Sequence, residues 1–351
     1  MTSRLSILSA GPGVTLQDGG RHGYLRYGIT AAGPMDPLAH ATANRALGNP
    51  LGATALEVSL GGVEVTAEGG PLGIAVAGGA FRLALDGAPL PPACALTLHP
   101  GQSLVVRAGR VGAWAYLAAA GRFDLPPTLG STATHTRSGF GGLDGRALRA
   151  GDRLAVRDAR PGPTDPHALT APWLDRPPEE IRVVLGPQDD FFSDDQIAAF
   201  LAGPWTVTTK GDRMACFLDG TPLTHAKGYN IVSDGIAMGA IQVPGEGWPI
   251  VLMADRQSTG GYPKIATVIG PDLGRLAQAQ GGTRIRFRAV DRAEAVAARR
   301  AEAQALAGPV AMEPLIRTDF SAEFLLGRNL IGGVVDGDVI PWEQNLISLT
   351  V

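Results

Sequence analysis

Cysteine is scarce: the 351-residue chain holds only Cys94 and Cys216. They are far apart, stand in no metal-ligand or redox spacing, and are flanked by apolar residues. That argues against a disulfide framework and predicts buried free thiols in a protein of the reducing cytoplasm. The histidines, His22, His40, His99, His135, His167 and His225, form no H-E-x-x-H or H-x-x-x-H pair, so no metal centre is expected. Charge is modest, 18% of residues with a net charge of −3, and offers neither nucleic acid nor an anionic membrane a basic surface. The start, Met1-Thr2-Ser3-Arg4-Leu5, lacks the apolar core of a signal, and no run approaches the roughly 20 apolar residues of a membrane span. A Walker-type G-x-x-x-x-G-K-[ST] is missing, and so is the Met-Lys-Met of a biotin carrier.

Turn formers and apolar residues are plentiful. Gly 48 and Pro 27 together exceed a fifth of the chain, and 45% is hydrophobic, with no low-complexity repeat. Many tight turns between short strands explain this best, so the expected fold is mainly β with a few short helices. Length allows about two domains.

In chain order, Thr15-Leu16-Gln17-Asp18-Gly19-Gly20-Arg21 is a polar glycine turn across which Asp18 and Arg21 would pair, with Tyr24 and Tyr27 anchoring the next strand. Asp36 caps a helix begun by Pro37 and ended by Gly48-Asn49-Pro50. Strands follow at 56–60, 63–66, 72–77, 81–85, 104–106 and 113–117, with an Asp86-Gly87 turn, in the spacing of a barrel or sandwich. Residues 121–152 are a glycine-rich polar stretch. The proline-rich segment 161–179 reads as a linker between an N-terminal β subdomain, 1–160, and a second β subdomain, 180–290. In the second, Ser193-Asp194-Asp195-Gln196 is a capping-box signature. A helical segment and an apolar-dotted tail, able to dock on the body or on a partner, occupy 291–351.

One loop is denser in chemistry than any other: Asp255-Arg256-Gln257-Ser258-Thr259-Gly260-Gly261-Tyr262-Pro263-Lys264, between the apolar runs 249–254 and 265–269. Gly260 and Gly261 let a ligand approach the main chain, Asp255 offers a base, Lys264 a point charge, Tyr262 a phenolic donor, and Gln257, Ser258 and Thr259 further polar groups. The same composition also fits a polar hairpin with a surface ion pair.

These motifs together resemble the carboxyltransferase-domain family known as allophanate hydrolase subunit 2, with KipA-like proteins and the C subunit of bacterial 5-oxoprolinase. The residues that carry the resemblance are Thr15 to Arg21 with Gly23-Tyr24, Gly33-Pro34-Met35-Asp36, Gly141-Gly142 with Gly145-Arg146, Gly186-Pro187-Gln188, Gly239-Ala240-Ile241-Gln242-Val243-Pro244 and the 255–264 loop. The resemblance implies cyclophilin-like β-barrel subdomains and a polypeptide that is half of a working unit. Its partner would be a B subunit (allophanate hydrolase subunit 1-like), joined by an A subunit, and the complex would be an ATP-dependent hydrolase opening 5-oxo-L-proline to L-glutamate. The alternative it implies is carboxyl transfer to urea or a related amide from biotin on a separate carrier. A third is a KipA-like binder antagonising a kinase inhibitor. Carried onto this chain, Asp255, Lys264 and Tyr262 would be catalytic. Gln242, Gln257, Ser258, Thr259, Gly260, Gly261, Asp18, Arg21 and Arg213 would bind a small amide substrate. Two departures stand out: Thr132 and Phe217 occupy positions where relatives often have arginine.

Overall fold

The computed structural model describes residues 3–171 and 174–315, and beyond them only Ala322 and Leu326, each helical. The rest of the apolar tail lies outside the described residues.

Two long strands, Leu72–Leu85 and Ser103–Ala119, form the spine of a twelve-stranded sheet. From sequence each reads as two shorter strands. The chain instead runs through its glycines, with register shifts between Gly78 and Arg82. A Cβ at Gly78 (φ +142°) would sit 2.5 Å from the Trp114 carbonyl oxygen, so glycine lets the ladder bend there without losing its pairing. The strand Val63–Glu68 alternates buried and half-buried residues and pairs with Ser3–Ala10, which in turn pairs with Arg153–Arg157. Leu5, Ile7, Leu56, Ile74, Leu96 and Val106 fill the core of this layer. Segment 161–179 is not wholly irregular: His167–Thr170 is a strand that adds to Cys94–Leu98 on one side and Ala311–Pro314 on the other.

The second layer is a closed barrel. Its strands run in the order Glu180–Leu185, Lys264–Val268, Ala240–Gln242, Ile250–Leu252, Ala215–Asp219, Trp205–Val207 and Arg284–Ala289. The last closes on the first in parallel, with Ile181 opposite Phe287. Alternation decides which side chains point inward: Cys216 and Leu218 join the barrel core while Phe217 packs against a separate cluster outside it. Both cysteines are free and buried, and burial pushes each thiol up to about 12.

Among the described residues four α-helices with stated bounds pack around these layers. α1, Pro37–Ala46, starts as read: the Asp36 carboxylate accepts from the Ala39 amide at 3.3 Å, a cap worth about 1 kcal/mol. α2 is Asp194–Ala202, α3 Gly270–Ala277 and α4 Arg292–Ala307. The capping box at Ser193 does not form, because the Gln196 side chain turns away to accept from the Thr224 amide at 2.8 Å. Tyr24 and Tyr27 anchor no strand; Tyr24 precedes and Tyr27 ends the short 3-10 helix Leu25–Tyr27, and Tyr27 is exposed.

Sheet and barrel share one core, in which Met35, Ala39, Trp114 and Tyr116 meet Ile181, Ile241, Met253 and Leu276. Gln278, at the end of α3, staples the layers. Its Oε1 accepts from the Ala113 and Trp114 amides at 2.9 and 3.1 Å, and its Nε2 donates to Asp36 at 3.0 Å.

His40 on α1 lies under this seam, fully buried, with Nε2 bonded to the Gln17 carbonyl at 3.2 Å. Burial pushes its pKa down to about 4 from 6.5, against that bond and the charges of Asp18 and Asp36. The unfolded chain therefore binds the proton more readily. Stability present above pH 6.5 should fall as the pH is lowered toward 4, by about 3 kcal/mol if the imidazole alone acts. Urea titrations across that interval, repeated on His40→Asn, check this: the variant should lose most of the slope.

Candidate functional site

The 255–264 loop is not a hairpin. The strands it joins, Ile250–Leu252 and Lys264–Val268, do not pair with each other; both pair with Ala240–Gln242, which lies between them. The loop must therefore cross the end of that middle strand, which brings Gln242 beneath it. Gln242 is buried and its Nε2 lies 3.5 Å from the Tyr262 carbonyl. A Cβ at Gly260 would sit 2.5 Å from that Nε2 and 2.6 Å from Ile236 Cδ1, so a larger residue would have to push both side chains aside.

The two ends of the loop have different surroundings. At the first, Asp255 is buried and bound bidentately by Arg213, Nε at 2.9 Å and Nη2 at 2.8 Å. The same guanidinium donates to Glu57 and, at 2.9 Å, to the Gly33 carbonyl. Glu57 also accepts from the Met35 amide and the Tyr116 hydroxyl, both at 2.8 Å, and Tyr116 accepts from the Asp36 amide at 2.7 Å. This chain of bonds runs from the barrel through Arg213 into the sheet and the start of α1. Burial works against the Arg213 cation, but Glu57 and Asp255 outweigh it and raise its pKa. Burial raises the Glu57 carboxyl, against the pull of Arg213. With both oxygens engaged, Asp255 is held as a counter-ion.

At the other end Lys264 begins a barrel strand and is buried, yet its Nζ reaches the half-exposed Asp234 carboxylate at 2.9 Å. The Lys264 bond, then the Gly235 amide, hold Asp234 below its ordinary value. Gln188 clips the Lys264 backbone: its Oε1 accepts from the Lys264 amide at 3.2 Å and its own backbone amide donates to the Lys264 carbonyl at 3.0 Å. Between these ends Gln257, Thr259 and Tyr262 are exposed and Ser258 half-buried. Arg256 is buried and donates to the Ile236 carbonyl at 3.0 Å, with burial pushing it down to about 10.

Asp18 and Arg21 do not pair with each other. Asp18 accepts from Ser131 Oγ at 2.6 Å and from the Thr132 amide at 2.7 Å, and so pins the 128–134 segment. Among the described residues it makes no bond to the 255–264 loop. Arg21 is buried over the Phe140 ring, 4.7 Å to its centre, and donates to the carbonyls of Thr128, Ser131 and Ala133. Its Nη1 has no partner among the described residues. Burial lowers its pKa, opposed by the charges of Asp18 and Asp255. The N-terminal segment does reach the loop at Gly28, where a Cβ would lie 3.9 Å from Ser258 Oγ.

Three members of this site were not singled out for it from sequence. Glu57 reads as a strand residue, although a carboxylate between Leu56 and Val58 is itself a sign of a buried partner. Asp234 sits in an unremarkable Ser-Asp-Gly turn. Gln188 marked the family resemblance but had no role. The two departures fall apart from the loop's polar groups. Thr132 faces a cavity of about 870 Å³ beside Asp18, lined also by Thr54, Arg122 and Arg157. Phe217 packs with Met214, Ile236 and Leu252 outside the barrel.

The glycine-rich 128–146 segment is not a phosphate cradle. Its amides are used internally: Thr132 to Asp18, Gly139 to the His135 carbonyl, Gly142 to Thr132 and Gly145 to Gly141. Among the described residues no three of His, Cys, Asp and Glu gather as a metal site, and no helix is long and apolar enough to cross a membrane.

The chain is 37% identical to the 5-oxoprolinase C subunit of Escherichia coli (strain K12) over 296 residues, 84% of this chain and 94% of that one. Among solved structures, TTHA0988 superposes with a TM-score of 0.71 at 34% identity, over 81% of this chain and 55% of that one. The urea amidolyase of K. lactis superposes at 0.79 with 28% identity, over 86% of this chain but only 20% of that enzyme. This chain thus spans about half of the first solved relative and a fifth of the second. The model of the carboxyltransferase domain, subdomain A and B, matches residues 27–289. With most of its length so matched, the chain belongs to the carboxyltransferase-domain family, subdomains A and B.

Proposed function

We propose that this chain is the C subunit of an ATP-dependent 5-oxoprolinase, which opens 5-oxo-L-proline to L-glutamate together with its B and A subunits. One observation carries the chemistry: a buried lysine, Lys264, pairs at 2.9 Å with the solvent-facing Asp234, next to the half-buried Gly260-Gly261 backbone. A fixed cation in a largely water-free wall favours the oxygen atoms of a polar substrate far more than one in bulk water. Gln242 positions the loop from below, and Tyr262, Ser258 and Thr259 form its rim. Asp255 takes a different part from the base suggested by its sequence context: it holds Arg213, and through it the seam under the loop. Arg21, with one unpartnered nitrogen, adds positive potential on the sheet side.

ATP belongs to another polypeptide of the complex in this reading, since the glycine-rich segment spends its own amides. Release of glutamate from 5-oxoproline and ATP tests the whole proposal, with this chain purified together with its B subunit, then supplied with the A subunit. Glutamate should appear only with all three present. No glutamate from a folded, stably associated complex would overturn it.

The likeness to the K. lactis enzyme favours a second reading, carboxyl transfer from biotin on a separate carrier to a urea-type amide. Carboxybiotin consumption with ureas and amides distinguishes it.

A further inference from the structure

Lys264 is a cation fixed in the barrel wall, but its counter-ion is not fixed with it. The lysine side chain is 3% exposed and the Asp234 side chain 53%. Asp234 belongs to segment 226–235, in which every residue but Ile231 is exposed. The segment is tied at its start, by the Ala226 amide to the Phe191 carbonyl at 2.8 Å and by Lys227 to Asp190 at 2.6 Å, and beyond that lies across the 255–264 loop on few bonds. The Ile231 amide donates to the Gly261 carbonyl at 2.8 Å, and the Ile236 amide to the Ser258 carbonyl at 3.0 Å. Asp234–Gly235 pairs with Thr259–Gly260 in a ladder two residues long. Gln188 Nε2 adds a 3.5 Å contact to Asp234. Few buried contacts and an exposed backbone are the marks of a segment that opens locally. Charge makes the opening conditional. Without an anion, a buried ammonium carries an uncompensated desolvation cost. Whatever displaces Asp234 must therefore bring a negative charge of its own.

We propose that segment 226–235 is a lid latched by Asp234 on Lys264, opened by a small molecule whose carboxylate or similar oxyanion takes the place of Asp234 on the lysine Nζ. A neutral urea or amide has no charge to exchange and leaves the latch closed. The inference rests on Lys264 being the ligand-facing group, as in the proposed function, and narrows the ligand to an anion. A lactam that carries its own carboxylate meets that requirement; an uncharged urea does not.

Amide hydrogen exchange over residues 229–236, in the chain assembled with its B partner, tests the lid. Three probes are used: 5-oxoproline, 2-pyrrolidinone (the same ring without the carboxylate) and acetate. The two carboxylates should speed exchange at Ile231, Gly235 and Ile236 and hasten trypsin cleavage after the already exposed Lys227; 2-pyrrolidinone should do neither. Asp234→Asn should show the open pattern without ligand and bind 5-oxoproline about tenfold more tightly, since the competing carboxylate is gone. The variant takes the anion from a buried ammonium, so its thermal unfolding is measured alongside, and Asp234→Glu, which keeps the charge, should keep the closed pattern. An equal response to 2-pyrrolidinone, no response to either carboxylate, or an unaltered pattern in Asp234→Asn would overturn the lid. If the complete complex releases no glutamate while acetate still opens the segment, the oxoprolinase reading fails and the lid stands. If glutamate is made while the segment ignores carboxylates, the lid alone fails.

Discussion

Replacing Arg213 by methionine should cost the fold about 3–5 kcal/mol, read as a lower urea midpoint. The guanidinium is the shared counter-ion of Asp255 and Glu57, and all three side chains are buried. Methionine fills much of the volume but leaves two carboxylates with no cation and several bonds unmade. The loss has a pH signature. Burial already raises the Glu57 carboxyl, and without Arg213 its protonation becomes easier still. A carboxyl raised in the folded state favours folding at low pH and loses that contribution as the pH climbs through its folded value. Relative to wild type, Arg213→Met should therefore recover stability as the pH is lowered from neutral. Adding Glu57→Gln and Asp255→Asn should restore part of the midpoint, because neutral amides cost less to bury unpaired than charges. A single variant as stable as wild type would show that the seam between sheet and barrel does not depend on this network.

Lys264→Met should act on function instead. The expected loss in kcat/KM for glutamate release by the complete complex is about a hundredfold or more, the scale of removing one member of a desolvated charge pair. Stability should change little, because the partner left behind, Asp234, is already half in water and the methionine stem covers the same barrel wall. Thermal unfolding and co-purification with the B partner, measured beside the kinetics, separate the two effects. Full turnover by Lys264→Met would remove the lysine from the reaction. The contrast between these variants follows from where each counter-ion sits: that of Arg213 is enclosed, that of Lys264 opens to solvent.

Much of the fold is written locally. Proline at the first position after Asp36, the Asp86-Gly87 turn and the alternation of Val63 and Val65 each specify an element through short-range sterics, hydrogen bonds and period, and each forms as read. The glycines at 78–79 do not report the same way. A glycine ends one strand and bends another, and only the partner across the ladder decides which. Likewise Ser193 carries the residues of a capping box, yet Gln196 finds a better acceptor role with Thr224 on a distant loop.

The site divides along the same line. The 255–264 loop is legible as a candidate because its unusual density of glycine, charge and hydroxyl between two apolar runs is a property of neighbours in sequence. Its electrostatics are not legible. Arg213 lies 42 residues from Asp255 and 156 from Glu57, and Lys264 lies 30 from Asp234. Sequence alone established a mainly β chain of this family and pointed to one loop as the candidate site. Tertiary structure alone decided which charges meet, which of them lose their water and which can exchange a partner, because the worth of a charge depends on the dielectric and counter-ions around it, and those are assembled from residues the chain keeps far apart.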